Sequence, residues 1–479
     1  LWQRTRDSGL WPGGNDRRWR VRLGRPARIP IRRAAGVLAI ILSSDLKRQF
    51  GVSTAVAVII GQVIGVGIFL VPAGMAKSVG SPAWLFGIWA AVGLMTLCGA
   101  LCYAELASRF PEAGGSYVYL REAYGKGAAF VYGWMVLLVL DPGLTAIFGV
   151  GFASYASFIF ELSPTGQTAL SIVMVLAIGG LTMLGTGIGA GFLRVLTLIK
   201  VGTLLFIVAF GFMSGSGNWA NLTPFFSTPP DIFGALAGGL VGAFFAFAGW
   251  WEVTRMTGEI ADPERNVPRT LVLGILGLSI IYILTSAVFM YLVPAAIVEN
   301  DEAFAALAGQ AMFGPVGGQL FAAVVCISVI GTLFAYLLVS PRVYYAMAND
   351  GLFFRKVGEL HPRFGTPYLA IAIQMVLASV LILTGGFNEI LGYFFFVVIL
   401  AIGVAVAGLH RISRAETSGY RTPLYPLPLV VYLIMTAVVL FFVGMRSPLQ
   451  TAIGLVVVSL GIPVYHFIFK RKHGLDKNH

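Results

Sequence analysis

Two glycine-rich interruptions within long apolar segments are the features of this 479-residue sequence that most directly suggest chemistry. The first covers residues 61–69 (GQVIGVGIF), and the second covers residues 242–250 (GAFFAFAGW). Glycine costs up to about 1 kcal/mol of helix propensity relative to alanine, so both segments favour a broken helix. The ends of a broken helix offer N–H groups to an anion and carbonyl groups to a cation. Such a pair can bind a zwitterion, although close helix packing through small residues is the alternative.

Three ionisable residues also lie inside apolar segments, where charged side chains are costly and are therefore functional candidates. Lys200 can act as a proton carrier or as a fixed structural cation, or can extend to the membrane surface. Asp141 precedes Pro142 and can couple to protons, pair with Lys200, favour substrates with an extra amine, or cap a proline kink. Glu252 is expected to lie close enough to the cytoplasm to be solvated.

The elements that carry these residues are predicted to be membrane-spanning helices. Hydrophobic residues make up 57% of the sequence and charged residues 11%, against about 45–50% and 25% in soluble domains. The apolar stretches run for about 20 residues without the alternation of barrel strands, which predicts an all-α polytopic membrane protein. About twelve transmembrane helices are placed at residues 51–74, 83–107, 127–159, 168–188, 192–214, 232–256, 270–294, 315–345, 368–385, 389–409, 427–445 and 449–470.

The spacing of the two interruptions predicts an internal repeat. They fall in the first and sixth helices, and paired interruptions at corresponding positions indicate an inverted-repeat transporter. The repeats are expected at about residues 51–214 and 232–409, with two extra C-terminal helices at about 427–470. Together they form a transporter domain over residues 46–472, followed by a cytoplasmic tail over residues 473–479.

The net charge of +12 is concentrated before the first helix, because ten arginines and no lysine fall within residues 1–33. Residues 1–45 lack lasting periodicity and contain several prolines and glycines, so we predict a disordered cytoplasmic extension. It is interpreted as a dispensable extension or an over-long gene start, with an anchor to anionic lipid as the alternative. Nucleic acid is not expected as a partner, since the excess charge belongs to this extension.

The distribution of lysine and arginine among short loops predicts the orientation. With a cytoplasmic N-terminus, the outer connections carry only Lys77 and Arg446, and loops 215–231 and 295–314 carry neither residue type. We therefore expect a multi-pass protein of the cell membrane with both termini in the cytoplasm. The basic residues assigned to the inner face are Arg109, Arg121, Lys126, Arg255, Arg265, Arg269, Arg342, Arg355, Lys356, Arg363, Arg411, Arg414, Arg421, Lys470, Arg471 and Lys472.

Several of these segments resemble a known family. Residues 64–69 (IGVGIF) and 77–82 (KSVGSP) resemble the first span of the amino acid–polyamine–organocation superfamily. Residues 98–106 (CGALCYAEL) and 112–117 (EAGGSY) resemble the second span and first cytoplasmic loop of its L-type amino acid transporter branch. This branch is the closest match within the superfamily.

The resemblance continues in the second interruption. Residues 245–250 (FAFAGW) resemble the unwound motif of the sixth span of that branch, and residues 259–268 (EIADPERNVP) its cytoplasmic continuation. The likeness covers most of residues 45–270, is moderate to about residue 365, and is general beyond. It implies a five-plus-five inverted-repeat fold and sodium-independent secondary active transport of L-amino acids by alternating access.

The resemblance also implies roles for individual residues. By motif position, the carboxylate and amino group of the substrate would meet the backbone of Ile64, Gly65, Val66, Gly67 and Ile68. The sixth span would contribute Phe245, Ala246, Phe247 and Gly249. Phe245 stands where the family has an aromatic outer gate, with simple packing or a lipid-facing position as the alternative.

The resemblance to the family also extends to charged residues. Lys200 resembles the fifth-span lysine that replaces a sodium ion in sodium-independent members, where the ammonium reaches toward the first and eighth spans. The branch does not typically have an acid at the position of Asp141. The family further suggests an inner gate of ionic pairs, although exposed pairs are often worth under about 1 kcal/mol. The gate candidates here are Glu105, Arg109, Glu259 and Arg342.

Catalytic and metal-binding signatures are missing from the sequence, which has no HExxH, P-loop, Cys-x-x-Cys pair or nucleophile elbow in a suitable context. No enzyme activity, metal or cofactor is therefore expected. The expected partners are an amino acid substrate and membrane lipid, with protons as a further candidate and no obligate protein partner. A proton-coupled symporter, a polyamine or organic-cation transporter, and a nutrient sensor on a transporter fold remain alternatives to an amino acid exchanger.

Overall fold

The computed structural model describes residues 51–65, 67–184, 190–294, 304–364, 366–412 and 419–470. The predicted extension at residues 1–45 and the tail at residues 473–479 lie outside this part of the chain. The described residues form α-helices, short 3₁₀ and π segments and turns, without strands. The prediction of an all-α polytopic protein is confirmed.

The helices of the first half are arranged as follows. An interruption separates the first two, and a π segment, Val136–Leu140, joins α5 to α6. The helices are α1 Val52–Val63, α2 Gly67–Val79, α3 Pro82–Arg109, α4 Ser116–Tyr124, α5 Lys126–Met135, α6 Asp141–Phe160, α7 Pro164–Met183 and α8 Ala190–Met213.

The second half begins after a short 3₁₀ segment at Trp219–Leu222. A second 3₁₀ segment, Glu252–Glu259, follows α9 and continues the same span. The helices are α9 Ile232–Phe247, α10 Pro263–Leu292, α11 Phe304–Val339, α12 Arg342–Asn349, α13 Arg355–Gly358, α14 Tyr368–Thr384, α15 Phe387–Ala407, α16 Leu427–Arg446, α17 Pro448–Ser459 and α18 Gly461–Val464. The chain continues as a 3₁₀ turn, Gly408–His410, after α15 and a π segment, Tyr465–Lys470, after α18.

The twelve predicted spans all coincide with helices. Within the described residues, ten helices or continuous helix pairs are long and apolar enough to cross a membrane, and α1 with α2 forms an eleventh, bent span. The remaining predicted span, at residues 368–385, corresponds to α14, which has 17 residues and is shorter than that limit. Seventeen residues rise about 25 Å, close to the minimum for crossing a bilayer.

Helices five spans apart pack against each other. The contacts pair α2 with α9, α3 with α10, α6 with α11 and α7 with α14, which carry spans 1 and 6, 2 and 7, 3 and 8, and 4 and 9. Elements near an axis between two inverted repeats would contact their counterparts in this way. The two repeats and their boundaries stay a prediction.

The outer surface of the bundle is apolar, as a lipid-facing surface must be. On α8, the side chain of Leu198 is 71% exposed, whereas Lys200, two residues further on, is only 2% exposed. The charged side of this helix therefore faces the interior of the bundle, and Lys200 does not extend to the membrane surface.

Candidate functional site at the two helix breaks

The first break lies between α1 and α2, whose axes differ by 48°. The amide of Ile64 still donates to the carbonyl of Ile60, at 2.9 Å, but ψ of 73° at Ile64 takes the chain out of the helix. The next helix begins at Gly67, and Val66 between them lies outside the described residues. The N–H groups of the first turn of α2 therefore lack helical partners and point back toward the break.

The second break follows α9. Ala248 is extended, with φ −57° and ψ 147°, and Gly249 adopts φ of +96°. This left-handed conformation is one that side chains other than glycine rarely adopt. The chain then continues as a 3₁₀ helix from Glu252, so the sixth span is interrupted over Ala248–Trp251.

The two breaks meet through a close backbone approach at Gly67. A Cβ atom at this position would lie 2.9 Å from the Cα atom of Ala246, closer than atoms of this kind approach. Because the obstacle is backbone, it cannot rotate away. Glycine at this position is therefore explained by the contact between α2 and α9.

We expect Gly67→Ala to reduce transport strongly, since α2 and α9 must separate to admit the methyl group. The loss is expected to be about tenfold or more, because overpacking costs about 1–3 kcal/mol. Uptake into proteoliposomes measures it. Gly87→Ala is the matched control, because Gly87 lies on α3 and a Cβ atom there would have no neighbouring atom within 4 Å. Equal uptake by the two variants would contradict this explanation.

A tyrosine on α10 forms hydrogen bonds to one carbonyl group at each of the two breaks. The Tyr282 hydroxyl lies 3.1 Å from the carbonyl oxygen of Val63 and 2.9 Å from that of Ala246, and its single O–H donor is shared between them. The side chain is fully buried. Sequence reasoning misses this residue, because nothing in its local pattern distinguishes it from other tyrosines in apolar helices.

Lys200 forms a hydrogen bond to the C-terminal end of α1. Its ammonium group donates to the carbonyl oxygen of Gly61 at 2.9 Å and to the hydroxyl oxygen of Thr332, on α11, at 2.5 Å. Thr332 also lies 3.4 Å from the carbonyl oxygen of Ile64. The structure thus places a cation among the oxygen atoms of the first and eighth spans.

A cavity of about 30 Å³ lies between the two breaks. This volume is enough for about two water molecules and is smaller than an amino acid, so the surrounding helices must move apart to admit one. Its lining combines backbone at the breaks with aromatic and polar side chains. The lining residues are Gln62, Val63, Gly65, Gly67, Leu144, Phe148, Phe245, Ala248, Gly249, Glu252 and Tyr336.

The predicted substrate-binding residues divide into two groups. Gly65, Gly67, Phe245 and Gly249 line the cavity. Ile64, Ile68, Ala246 and Phe247 are buried beside it but are not among its lining residues, and Val66 is outside the described residues. Gln62 and Glu252 also line the cavity, although sequence reasoning does not assign them to the substrate. The signal that could identify them is a polar side chain within an apolar span.

Phe245 forms part of an aromatic cluster at one end of the cavity. Its ring centroid lies 6.2 Å from that of Phe395 on α15, which also packs against Phe244 at 5.4 Å. Phe395 in turn lines a second cavity, of about 280 Å³, whose walls include Lys77 and Arg446. Phe245 and Phe395 thus separate the cavity at the breaks from this larger one, so Phe245 is buried within the bundle and does not face lipid.

A charged cluster adjoins the small cavity, which Glu252 and Tyr336 line. Arg255 is buried with its Nη1 atom 3.5 Å from Asp141 Oδ1 and its Nε atom 2.8 Å from Glu252 Oε2. Asp141 also accepts hydrogen bonds from the hydroxyl groups of Tyr336, at 2.6 Å, and Tyr344. Its ionic partner is therefore Arg255, while Lys200 bonds to other groups.

Two expectations about this cluster are wrong. Glu252 is not solvated as expected, because it is only 1% exposed. Arg255 does not lie in a cytoplasmic loop as assigned, because it is equally buried. Every residue of Glu252–Glu259 except Gly258 is buried, so the bundle encloses the whole segment and both side chains with it.

The four gate candidates form two ionic pairs. Glu105 and Arg109 pair within α3 and are both buried, so the expectation of an exposed pair does not hold for them. Glu105 also accepts a hydrogen bond from the amide of Thr422 at 2.9 Å. Arg342, at the start of α12, lies 2.6 Å from Glu259 through its Nε atom and joins the eighth span to the end of the sixth.

Comparison with known proteins identifies the class to which this fold and site belong. A family model described as amino acid permease matches residues 50–463, and the chain therefore belongs to the amino acid permease family. Its members move substrates across membranes and are not enzymes.

Individual relatives are similar over most of their length. The serine/threonine exchanger SteT of Bacillus subtilis (strain 168) is 29% identical over 437 residues, covering 90% of this chain and 98% of the relative. The human cystine/glutamate transporter is 28% identical, covering 88% and 85%, respectively. The human large neutral amino acids transporter small subunit 2 is 27% identical, covering 88% and 80%. The prediction of a member of the amino acid–polyamine–organocation superfamily, in its L-type branch, is confirmed.

Proposed function

We propose that this permease is a sodium-independent secondary active transporter of L-amino acids that works by alternating access around the two helix breaks. The observation that carries the proposal is the bonding of Lys200. Its ammonium group lies against the carbonyl oxygen of Gly61 and the hydroxyl of Thr332, where a transporter that uses sodium would need a bound cation. A covalently attached cation makes the metal ion unnecessary.

The breaks supply the remaining groups that a zwitterion needs. The free N–H groups at the start of α2, near Gly67, suit the substrate carboxylate, because a helix N-terminus carries partial positive charge. The backbone around Gly249 offers carbonyl groups to the substrate ammonium. Phe245 and the pair Glu259–Arg342 are proposed as outer and inner gates, since Phe245 lines the cavity beside Phe395 and the pair joins the end of the sixth span to the end of the eighth. We further propose that the protein lies in the cell membrane with both termini in the cytoplasm.

Amino acid exchange is favoured among transport modes by two relatives, one named an exchanger and one named for two substrates. Their substrates differ, so the relatives support an amino acid substrate without specifying which. Proton-coupled symport is the second candidate. It is favoured by the two buried carboxyl groups of Asp141 and Glu252, which share one arginine and could take up a proton.

The experiment that tests the proposal is uptake of radiolabelled L-amino acids into proteoliposomes. Uptake is measured with and without preloaded unlabelled substrate, with and without an inward proton gradient, and with sodium or potassium as the salt. We expect uptake to require preloaded substrate and to be equal in the two salts. Accumulation driven by the proton gradient alone would establish a symporter, and dependence on sodium would contradict the assignment of Lys200.

A further inference from the structure

The cavity at the helix breaks has a polar end that recognition of the α-amino and α-carboxyl groups does not use. Gln62 and Glu252 line the cavity and are 6% and 1% exposed. In the described part of the chain, neither the side-chain oxygen nor the side-chain nitrogen of Gln62 has a hydrogen-bond partner. The same holds for Oε1 of Glu252. Buried polar groups normally have partners, so these atoms indicate a ligand.

The charges around Glu252 are unbalanced. Asp141 and Glu252 are two buried carboxyl groups that share the single guanidinium group of Arg255. Asp141 has two tyrosine donors in addition, from Tyr336 and Tyr344, whereas Glu252 has the guanidinium group of Arg255, at 2.8 Å, and the side chain of Trp251 beside it. Asp141 is therefore the better hydrogen-bonded of the two acids, and Glu252, which lines the cavity, is the one with an oxygen atom left for a ligand.

The other charged groups near the site do not compensate Glu252. Lys200 donates to Gly61 and Thr332, and no salt bridge joins it to a carboxylate among the residues that the structure describes. No ionisable group of positive charge appears among the described residues that line the cavity. A buried carboxylate without full compensation is costly and favours a cation bound next to it.

We propose that Glu252, assisted by Gln62, makes this site selective for amino acids whose side chain carries a positive charge. This inference rests on the proposed function, because it assumes that the substrate backbone binds at the helix breaks. The substrate side chain then extends toward the inner end of the cavity. Its ammonium or guanidinium group donates to Oε1 of Glu252 and to the amide oxygen of Gln62.

The arrangement explains why two acids share one arginine. With a cationic side chain bound, the cluster contains two positive and two negative charges, and the unpartnered oxygen atoms acquire donors. A neutral side chain of the same shape leaves the excess charge and the unpartnered atoms in place. Sites that hydrogen-bond a substrate group discriminate strongly against analogues that lack it.

The test compares L-ornithine with L-norleucine, whose side chains have the same length and differ by an ammonium in place of a methyl group. Binding to the purified full-length protein is measured by displacement of a radiolabelled amino acid, and exchange is measured in proteoliposomes. We expect the protein to bind L-ornithine at least about tenfold more tightly than L-norleucine, because hydrogen bonds between charged groups are strong. Glu252→Gln should remove this preference, so that the affinities of the variant for L-ornithine and L-norleucine differ by less than about threefold.

Two further variants make the result interpretable. Glu264→Gln removes an exposed acid at the start of α10 and should retain the preference for L-ornithine. Gln62→Leu should weaken L-ornithine binding more than L-norleucine binding, and it provides a second test should Glu252→Gln fail to fold.

Equal binding of the two ligands by the unaltered protein would overturn the inference. So would a Glu252→Gln variant that retains the preference and changes only the pH dependence of exchange, since Glu252 would then bind a proton instead of the substrate. If no L-amino acid binds or is exchanged at all, the proposed function itself fails.

Discussion

Replacing Lys200 by methionine is expected to reduce sodium-independent transport strongly while leaving a folded protein. Methionine fills a similar volume, so the variant removes the ammonium group with little change in packing. The carbonyl oxygen of Gly61 and the hydroxyl of Thr332 then lose their donor inside the bundle. An unsatisfied buried polar group costs about 1–3 kcal/mol, which corresponds to about a tenfold to 100-fold loss in rate where the bond is needed in the transport cycle. Exchange of radiolabelled substrate in proteoliposomes measures the loss.

The control for this variant is Lys126→Met, which removes an exposed lysine at the start of α5 and should exchange substrate normally. Gel filtration and thermal unfolding in detergent establish that both variants are folded. If Lys200 is a fixed cation, exchange fails at every pH. If it carries protons, exchange persists and only accumulation driven by a proton gradient is lost. Normal exchange together with normal gradient-driven accumulation would remove any role for Lys200 in coupling.

The sequence predicts much of the scaffold because hydrophobic length and glycine placement act locally. The third span is predicted at residues 127–159, and the structure has a continuous segment over Lys126–Phe160. The breaks near Gly65 and Gly249 are predicted because glycine at membrane depth requires a structural reason, and both positions line the cavity. Periodicity and propensity are sufficient for such features, since each depends on residues that are neighbours in the chain.

The arrangement within the site depends on contacts between distant segments, which these patterns do not contain. Tyr282 reaches the carbonyl groups of Val63 and Ala246, which lie 219 and 36 residues away, respectively. Likewise, the burial of Glu252 depends on the packing of distant elements around the segment Glu252–Glu259, in which every residue except Gly258 is buried. Counting residues from the start of an ideal helix places this side chain near the membrane surface. The sequence therefore identifies Glu252 as an acid in a span, but the prediction that its side chain is solvated is wrong.

Replacing Arg255 by glutamine is expected to cause the largest loss of stability. Arg255 is 1% exposed, and its guanidinium group contacts both Asp141 and Glu252. Removing one partner from a buried ionic group costs about 3–5 kcal/mol, because the remaining charges stay buried without compensation. The unfolding temperature in detergent should fall well below that of Arg269→Gln, a matched change at an exposed position on α10.

The double variant Arg255→Gln with Glu252→Gln shows whether charge is the cause. It removes one cation and one acid, leaving Asp141 with its donors Tyr336 and Tyr344. The double variant should therefore unfold at a higher temperature than Arg255→Gln alone, with a coupling energy within the range of about 0.5–3 kcal/mol found for residues in contact. If Arg255→Gln is as stable as Arg269→Gln, the cluster does not hold the sixth span against the third. If the second substitution adds further loss instead of restoring stability, Arg255 acts through packing of its side chain, and the excess charge assigned to Glu252 is not the source of the effect.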